Sequence, residues 1–220
     1  MSISENYRIL QAKLPEEVTL VAISKNKTNE EILELYECGQ REFGENKVQE
    51  LTAKHESLPD DIRWHMVGHL QSNKVKYIAP FIGMIHSVDS LKLLKIINKE
   101  AKKNDRIIPC LLQLHIAEED TKFGLSYEEA CNLLEQDDYK AMENISIIGL
   151  MGMATFTDDT VQIHKEFKQL KESFDKIKTS YFLDNQLFCE LSMGMSDDFL
   201  IGVEEGSTLV RVGTALFGER

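Results

Sequence analysis

Lys25 closes the apolar run VTLVAIS that starts at Val18. An amine at the end of a buried strand lies beside low-dielectric walls, where desolvation disfavours the ammonium form and leaves a lone pair able to attack an aldehyde. Lysine is also commonly exposed, and Lys27 two positions on makes a solvated basic loop the competing explanation. Arg211 in TLVRVG is the second anomaly. Val210 and Val212 suit a helix-covered face, so period-two alternation turns Arg211 inward, where a cation needs a ligand or an ion-pair partner such as Glu190.

Two clusters near the C-terminus, LSMGMSDDF and RVGTALFG, combine glycine with hydroxyl side chains. Gly194 and Gly213 would let backbone N–H groups approach phosphate oxygens, and Ser196 is a natural cap for a helix beginning near Asp197 and Asp198. Ordinary turn chemistry explains either cluster alone; the pair together favours phosphate. His65 and His69 are four apart, but WHMVGHLQSNK reads as strand, turn and helix, so the spacing does not make a zinc face and no metal is expected. Met151 and Met153 read first as core. Glu118, Glu119 and Asp120 read as a solvated loop.

Elements that could position these groups recur along the chain. Eight short apolar runs begin at Val18, Arg41, Arg63, Gly83, Ile107, Ile145, Phe188 and Ser207, separated by amphipathic stretches such as SLKLLKIINKEAKKN and TVQIHKEFKQLKESFDKIK. After an N-terminal helix, this alternation predicts a closed (β/α)₈ barrel, an α/β fold of the TIM type, in one domain over residues 1–220. An open doubly wound sheet is the alternative, but no GxGxxG follows the first strand. Barrels place reactive groups at the C-terminal ends of the strands. That rule selects Lys25, Glu45, Asn46, His65, Gly68, Lys122, Gly124, Met151 to Ala154, Ser192 to Ser196 and Arg211 to Thr214.

At 220 residues, 42% hydrophobic and with a formal net charge of −12, the chain has ample apolar content for a core and no basic face for nucleic acid or anionic lipid. Cys38, Cys110, Cys131 and Cys189 are widely spaced, which predicts free thiols in a reducing compartment. With neither a signal-peptide layout nor a long apolar run, a cytoplasmic protein is the expectation; a monomer is expected separately.

The ordered set VAISKNK, FGENKVQE, WHMVGHLQSNK, IHSVDS, DTKFG, GLMGM, LSMGMSDDF and GSTLVRVGTALFGER resembles the pyridoxal phosphate homeostasis proteins, barrel relatives of alanine racemase. The resemblance covers nearly the whole chain. It implies pyridoxal 5′-phosphate as cofactor, held by Lys25 as an internal aldimine. It assigns Ser192, Gly213 and Thr214, with the backbone near Met193, to the phosphate, and sets Arg211 against the pyridine nitrogen. Asn46 lines the ring, flanked by His65 and Met153. The sequence departs from the family pattern at Thr28, where proline is usual and where threonine can cap a helix, and at the second glycine of GLMGM.

An arginine at the ring nitrogen weakens the ring as an electron sink. The chain closes at Arg220 straight after the eighth strand, where racemases continue into a domain that supplies a second base. The expectation is therefore a carrier or regulator of intracellular pyridoxal phosphate, without catalysis, that serves apo forms of pyridoxal phosphate enzymes. A racemase or decarboxylase, and a sugar-phosphate aldolase using Lys25, are the alternatives.

Overall fold

Parallel strands buried on both faces need helices outside and side chains filling the inside, and the computed structural model meets both needs. It describes residues 2–118 and 123–218. Eight strands, β1 (Thr19–Ile23), β2 (Glu42–Glu45), β3 (Arg63–Met66), β4 (Met84–Val88), β5 (Ile108–Gln113), β6 (Ile145–Met151), β7 (Glu190–Ser192) and β8 (Leu209–Val212), pair in sequence order into a closed barrel. Each lies within one of the eight runs read from the sequence. All pairings are parallel, and β8 closes onto β1 through Val21 opposite Arg211.

The helices are α1 (Ile3–Gln11), α2 (Asn29–Glu37), α3 (Val48–Ser57), α4 (Val75–Ile78), α5 (Leu91–Lys103), α6 (Tyr127–Glu135), α7 (Asp137–Lys140), α8 (Thr160–Tyr181), α9 (Phe199–Glu204) and α10 (Thr214–Phe217). Their starts follow local chemistry. Ser2, Thr28 and Ser126 form capping boxes with Glu5, Glu31 and Glu129, and Ser90 caps α5. Thr28 thus supplies the helix start expected of it.

Strand alternation divides the apolar residues into two layers. Leu20, Ala22, Phe43, Trp64, Ile85 and Val210 belong to the cluster between sheet and helices. Val21, Ile23, Leu111, Met151 and Leu209 form a smaller cluster inside the barrel. Arg211 follows Leu209 at the two-residue period and is buried, so its inward direction is as the alternation predicts.

All four cysteines are free. No helix is long and apolar enough to cross a membrane, and no cluster of metal-ligating side chains occurs among the described residues. One local expectation is corrected. The helix after β7 starts at Phe199, preceded by Asp198, and Ser196 does not cap it. The Ser196 oxygen accepts instead from the N–H groups of Gly213 and Ala215.

Where β6 meets β7, Gly149 lies opposite Glu190, and a Cβ at Gly149 would overlap the Glu190 carbonyl. Gly149→Ala should therefore lower unfolding stability by about 1 to 3 kcal/mol, the range for overpacking a buried site. Urea denaturation monitored at Trp64 measures it, and wild-type stability would contradict the close approach.

Candidate cofactor site

Lys25 sits in a turn that is held on both flanks. Ser24 is fully buried. Its carbonyl accepts from Lys54 Nζ at 2.7 Å and its hydroxyl donates to Glu45 Oε1 at 2.6 Å, while Lys54 Nζ also reaches Glu45 Oε1 at 2.6 Å. Asn26 takes a left-handed φ of 59°, and its N–H donates to Glu50 Oε2 at 2.8 Å. Glu50 and Lys54, both on α3, thus grip the residues immediately before and after Lys25. Burial pushes the Glu45 carboxyl above its ordinary range, opposed by the bonds from Lys54 and Ser24. The Lys25 side chain makes no hydrogen bond or ion pair with another described residue.

Lys25 opens onto a cavity of about 430 Å³ at the C-terminal end of the barrel. Asn46, Arg211, Gly213 and Thr214 line it too, as do Met195, Ser196 and His69. Gly68 lets the loop after β3 close against Asn46, because a Cβ there would stand 2.5 Å from the Asn46 carbonyl oxygen. Opposite Lys25, the loops after β7 and β8 meet. Ser196 Oγ receives the N–H of Gly213 at 3.2 Å and of Ala215 at 3.4 Å. The Ser196 hydroxyl hydrogen, the Thr214 hydroxyl and the Thr214 N–H have no partner among the described residues.

Arg211 forms the floor. Nη1 donates to Ser192 Oγ at 2.6 Å and Nη2 to the Gly152 carbonyl at 3.0 Å, leaving Nε without a partner among the described residues. Burial lowers its pKa to about 10, with Asp198 opposing, so it stays cationic at neutral pH. The suggested ion pair with Glu190 does not form. Glu190 accepts instead from the Thr208 hydroxyl.

Five of the seven residues named from the sequence meet in this cavity: Lys25, Asn46, Arg211, Gly213 and Thr214. Ser192 and Met193 do not line it. Ser192 is fully buried under Arg211, and its oxygen also contacts His86 Nδ1 at 3.0 Å. The Met193 N–H and carbonyl are both taken by the Ser207 hydroxyl. The chain reaches the mouth only after Gly194, whose φ of 93° turns it there, so Met195 and Ser196 arrive where the earlier pair was expected.

His65 lies deeper in the barrel, bonded to Glu42 and His86, whereas Met153 lies at the rim, 39% exposed. Lys122, Glu119 and Asp120 fall outside the described residues; Glu118 is exposed and pairs with Lys165. The sequence reading missed Glu166, which is buried on α8 and accepts from the Thr155 N–H and hydroxyl and from the Glu118 N–H. It thereby ties together the loops that follow β5 and β6. A glutamate flanked by Phe167 and Leu170 on a core-facing stripe was its only signal.

Residues 1–220 match the family model for the alanine racemase N-terminal domain. The pyridoxal phosphate homeostasis protein of Aquifex aeolicus is 40% identical over 203 residues, covering 91% of this chain and 86% of that protein. Its counterpart in Escherichia coli K12 is 34% identical over 211 residues, covering 94% and 87%. The structure of PipY from Synechococcus elongatus with PLP bound superposes with a TM-score of 0.89 at 35% identity, covering 98% of this chain and all of that one. Alanine racemase from Bartonella henselae, at 18% identity and a TM-score of 0.76, shares the fold over 58% of its length. With an eight-stranded barrel, a lysine at the mouth and relatives of this identity over nearly the whole length, the chain belongs to the pyridoxal phosphate homeostasis protein family, within the alanine racemase N-terminal domain family.

Proposed function

We propose that this protein binds pyridoxal 5′-phosphate through Lys25 and acts in pyridoxal phosphate homeostasis as a carrier or regulator rather than as an enzyme. The observation that carries the reading is a set of donors around one cavity that have no partner among the described residues. They are the Lys25 amine on one side and the Ser196 hydroxyl, Thr214 hydroxyl and Thr214 N–H on the other. A ligand bearing an aldehyde at one end and a phosphate at the other satisfies them together. The cavity volume lies within the range of small-molecule sites.

When bound, pyridoxal 5′-phosphate supplies an aldehyde for amines and a ring that withdraws electrons. The roles follow from the side chains. Lys25 Nζ would hold the cofactor by its aldehyde. The Ser196 and Thr214 hydroxyls and the Thr214 N–H would take the phosphate, while Gly213, whose N–H goes to Ser196 Oγ, would shape the turn that presents them. The Arg211 guanidinium, on the cavity floor, would meet the ring nitrogen and could not hand it a proton as a carboxylic acid would. Asn46 borders the ring. Ser192 acts beneath the site, by holding Arg211.

The names of the relatives support a homeostatic role; apo forms of pyridoxal phosphate enzymes are the recipients that this reading implies. One observation favours a weak amino-acid racemase as the second reading. His69 lines the cavity with Nδ1 3.3 Å from Asp89 Oδ2, which provides a base on the wall. Incubation of the cofactor-loaded protein with L- and D-amino acids in heavy water separates the two. Exchange at the α-carbon well below 1 s⁻¹, about the lower end of ordinary turnover, is expected, and stereospecific exchange above that rate would establish the enzyme.

Borohydride reduction of the loaded protein should fix a phosphopyridoxyl mass on the peptide containing Lys25, and label on another lysine would refute the assignment. Lys25→Ala should lose the visible band yet unfold as the wild type does, because an exposed mouth residue adds little to packing. Pyridoxal lacking its phosphate should bind far more weakly. Ser196→Ala should weaken pyridoxal 5′-phosphate binding by about 1 to 3 kcal/mol, the worth of one bond to a charged group. Equal affinity for both vitamers in a binding titration would place the phosphate elsewhere.

A further inference from the structure

Below the cavity, polar side chains from five strands join in an unbroken line. Arg211 Nη1 meets Ser192 Oγ at 2.6 Å, Ser192 Oγ meets His86 Nδ1 at 3.0 Å, and His86 Nε2 meets His65 Nδ1 at 2.8 Å. His65 Nε2 then meets Glu42 Oε2 at 2.7 Å. Ser192, His86, His65 and Arg211 are all buried. Glu42 and Arg63 begin β2 and β3, so their ion pair marks the opposite, N-terminal mouth of the barrel.

Donor accounting orders the line. A guanidinium only donates and a carboxylate only accepts. Ser192 Oγ therefore accepts from Arg211, and His65 donates from Nε2 to Glu42. With both histidines neutral, His65 Nδ1 must accept, so His86 donates from Nε2 and accepts at Nδ1 from the Ser192 hydroxyl. Every group is then satisfied and every hydrogen points from the cation toward the anion. If His65 were doubly protonated, His86 would donate to Ser192, and the Ser192 hydrogen would be stranded without an acceptor among the described residues. Burial, with His65 and Arg211 adding to it, holds the His86 imidazole well below its usual titration range, which favours the neutral order. Asp198 on the loop after β7 also acts electrostatically on Arg211, and Arg63 on Glu42.

We propose that Ser192, His86, His65 and Glu42 form a one-way hydrogen-bonded chain that anchors Arg211 beneath the cavity and ties it to the far mouth of the barrel. Glu42 and the two histidines are then positioning residues for the ligand group resting on Arg211. The role toward the ligand rests on the cofactor reading above; the donor order does not. Chains of this kind polarise one another, so a change at one end is felt at the other.

Long-range ¹H–¹⁵N spectra of the ligand-free protein, labelled at histidine, test the order directly. His86 should carry its proton on Nε2 and accept at Nδ1, and His65 should be protonated on Nε2. A proton on His86 Nδ1 at neutral pH would overturn the chain. Ser192→Ala removes both the acceptor for Arg211 and the donor to His86. It should alter the His86 Nδ1 signal, raise the Kd for pyridoxal 5′-phosphate about tenfold and move the visible maximum of the bound form, with cofactor still trapped on Lys25. Ser192→Thr, which keeps the hydroxyl, should restore all three. Glu42→Gln keeps an acceptor for His65 but removes the charge at the far mouth, and it should move the same maximum without unfolding the barrel. An unchanged maximum in both Ser192→Ala and Glu42→Gln would reduce the line to packing. If the wild type shows the predicted tautomers but takes up no pyridoxal 5′-phosphate, the cofactor reading fails and the donor chain stands.

Discussion

A guanidinium buried inside a β-barrel is costly unless hydrogen bonds and an opposite charge meet it, and much of the interior of this barrel is arranged around that requirement. Arg211 enters the interior because β8 alternates and Leu209 precedes it on the same face. Its neighbours then supply acceptors, namely the Ser192 hydroxyl and the Gly152 carbonyl. Asp198 on the loop after β7 acts on Arg211 electrostatically, and beyond Ser192 the hydrogen-bonded line runs through two histidines to Glu42 at the other mouth. The apolar filling of the barrel is correspondingly small, and most of the hydrophobic core lies outside the sheet, under the helices.

A second buried charge pair acts at the other side of the site. Lys54 and Glu45 lie between sheet and α3, and both bind Ser24. A buried pair of this kind adds little net stability over apolar packing, yet losing one partner leaves a charge that nothing answers. What it provides here is position. With Glu50 holding Asn26, the backbone on each side of Lys25 is fixed while the Lys25 side chain makes no bond to another described residue. A nucleophilic amine needs this combination, because an ion pair to Lys25 itself would keep it occupied.

The barrel was legible from the sequence because its signals are local: apolar runs at strand length, capping residues before helical periodicity, and inward alternation at Arg211. The site was legible where strand ends define it, at Lys25, Asn46, Gly213 and Thr214. It was not legible across the turn after β7, where one left-handed glycine decides whether Ser192 or Ser196 reaches the mouth, and both serines fit the same composition. The line from Glu42 to Arg211 was hidden for a different reason. His65 and His86 are separated by 21 positions, and His86 and Ser192 by 106, so their contact exists only once the barrel closes. Alternation shows that a side chain faces inward but not what it meets there.

The two networks divide the cavity into a rigid half and an open half. Lys25 and Arg211 are held from behind, by α3 and by the interior chain, and the bonds of Lys54, Ser192 and Arg211 are between buried groups that water screens little. At the rim, Phe123, Met153 and Phe156 are 55%, 39% and 86% exposed, and His69 is half exposed in its pair with Asp89. An enzyme that abstracts a proton gains from shutting water out, because its charged groups then act at low dielectric. A binder that must both capture and surrender an aldehyde needs water and competing amines to reach the covalent link, since hydrolysis or amine exchange is how such a link is undone. Under the proposed function, a fixed lysine below a mouth that is open among the described residues meets that second requirement.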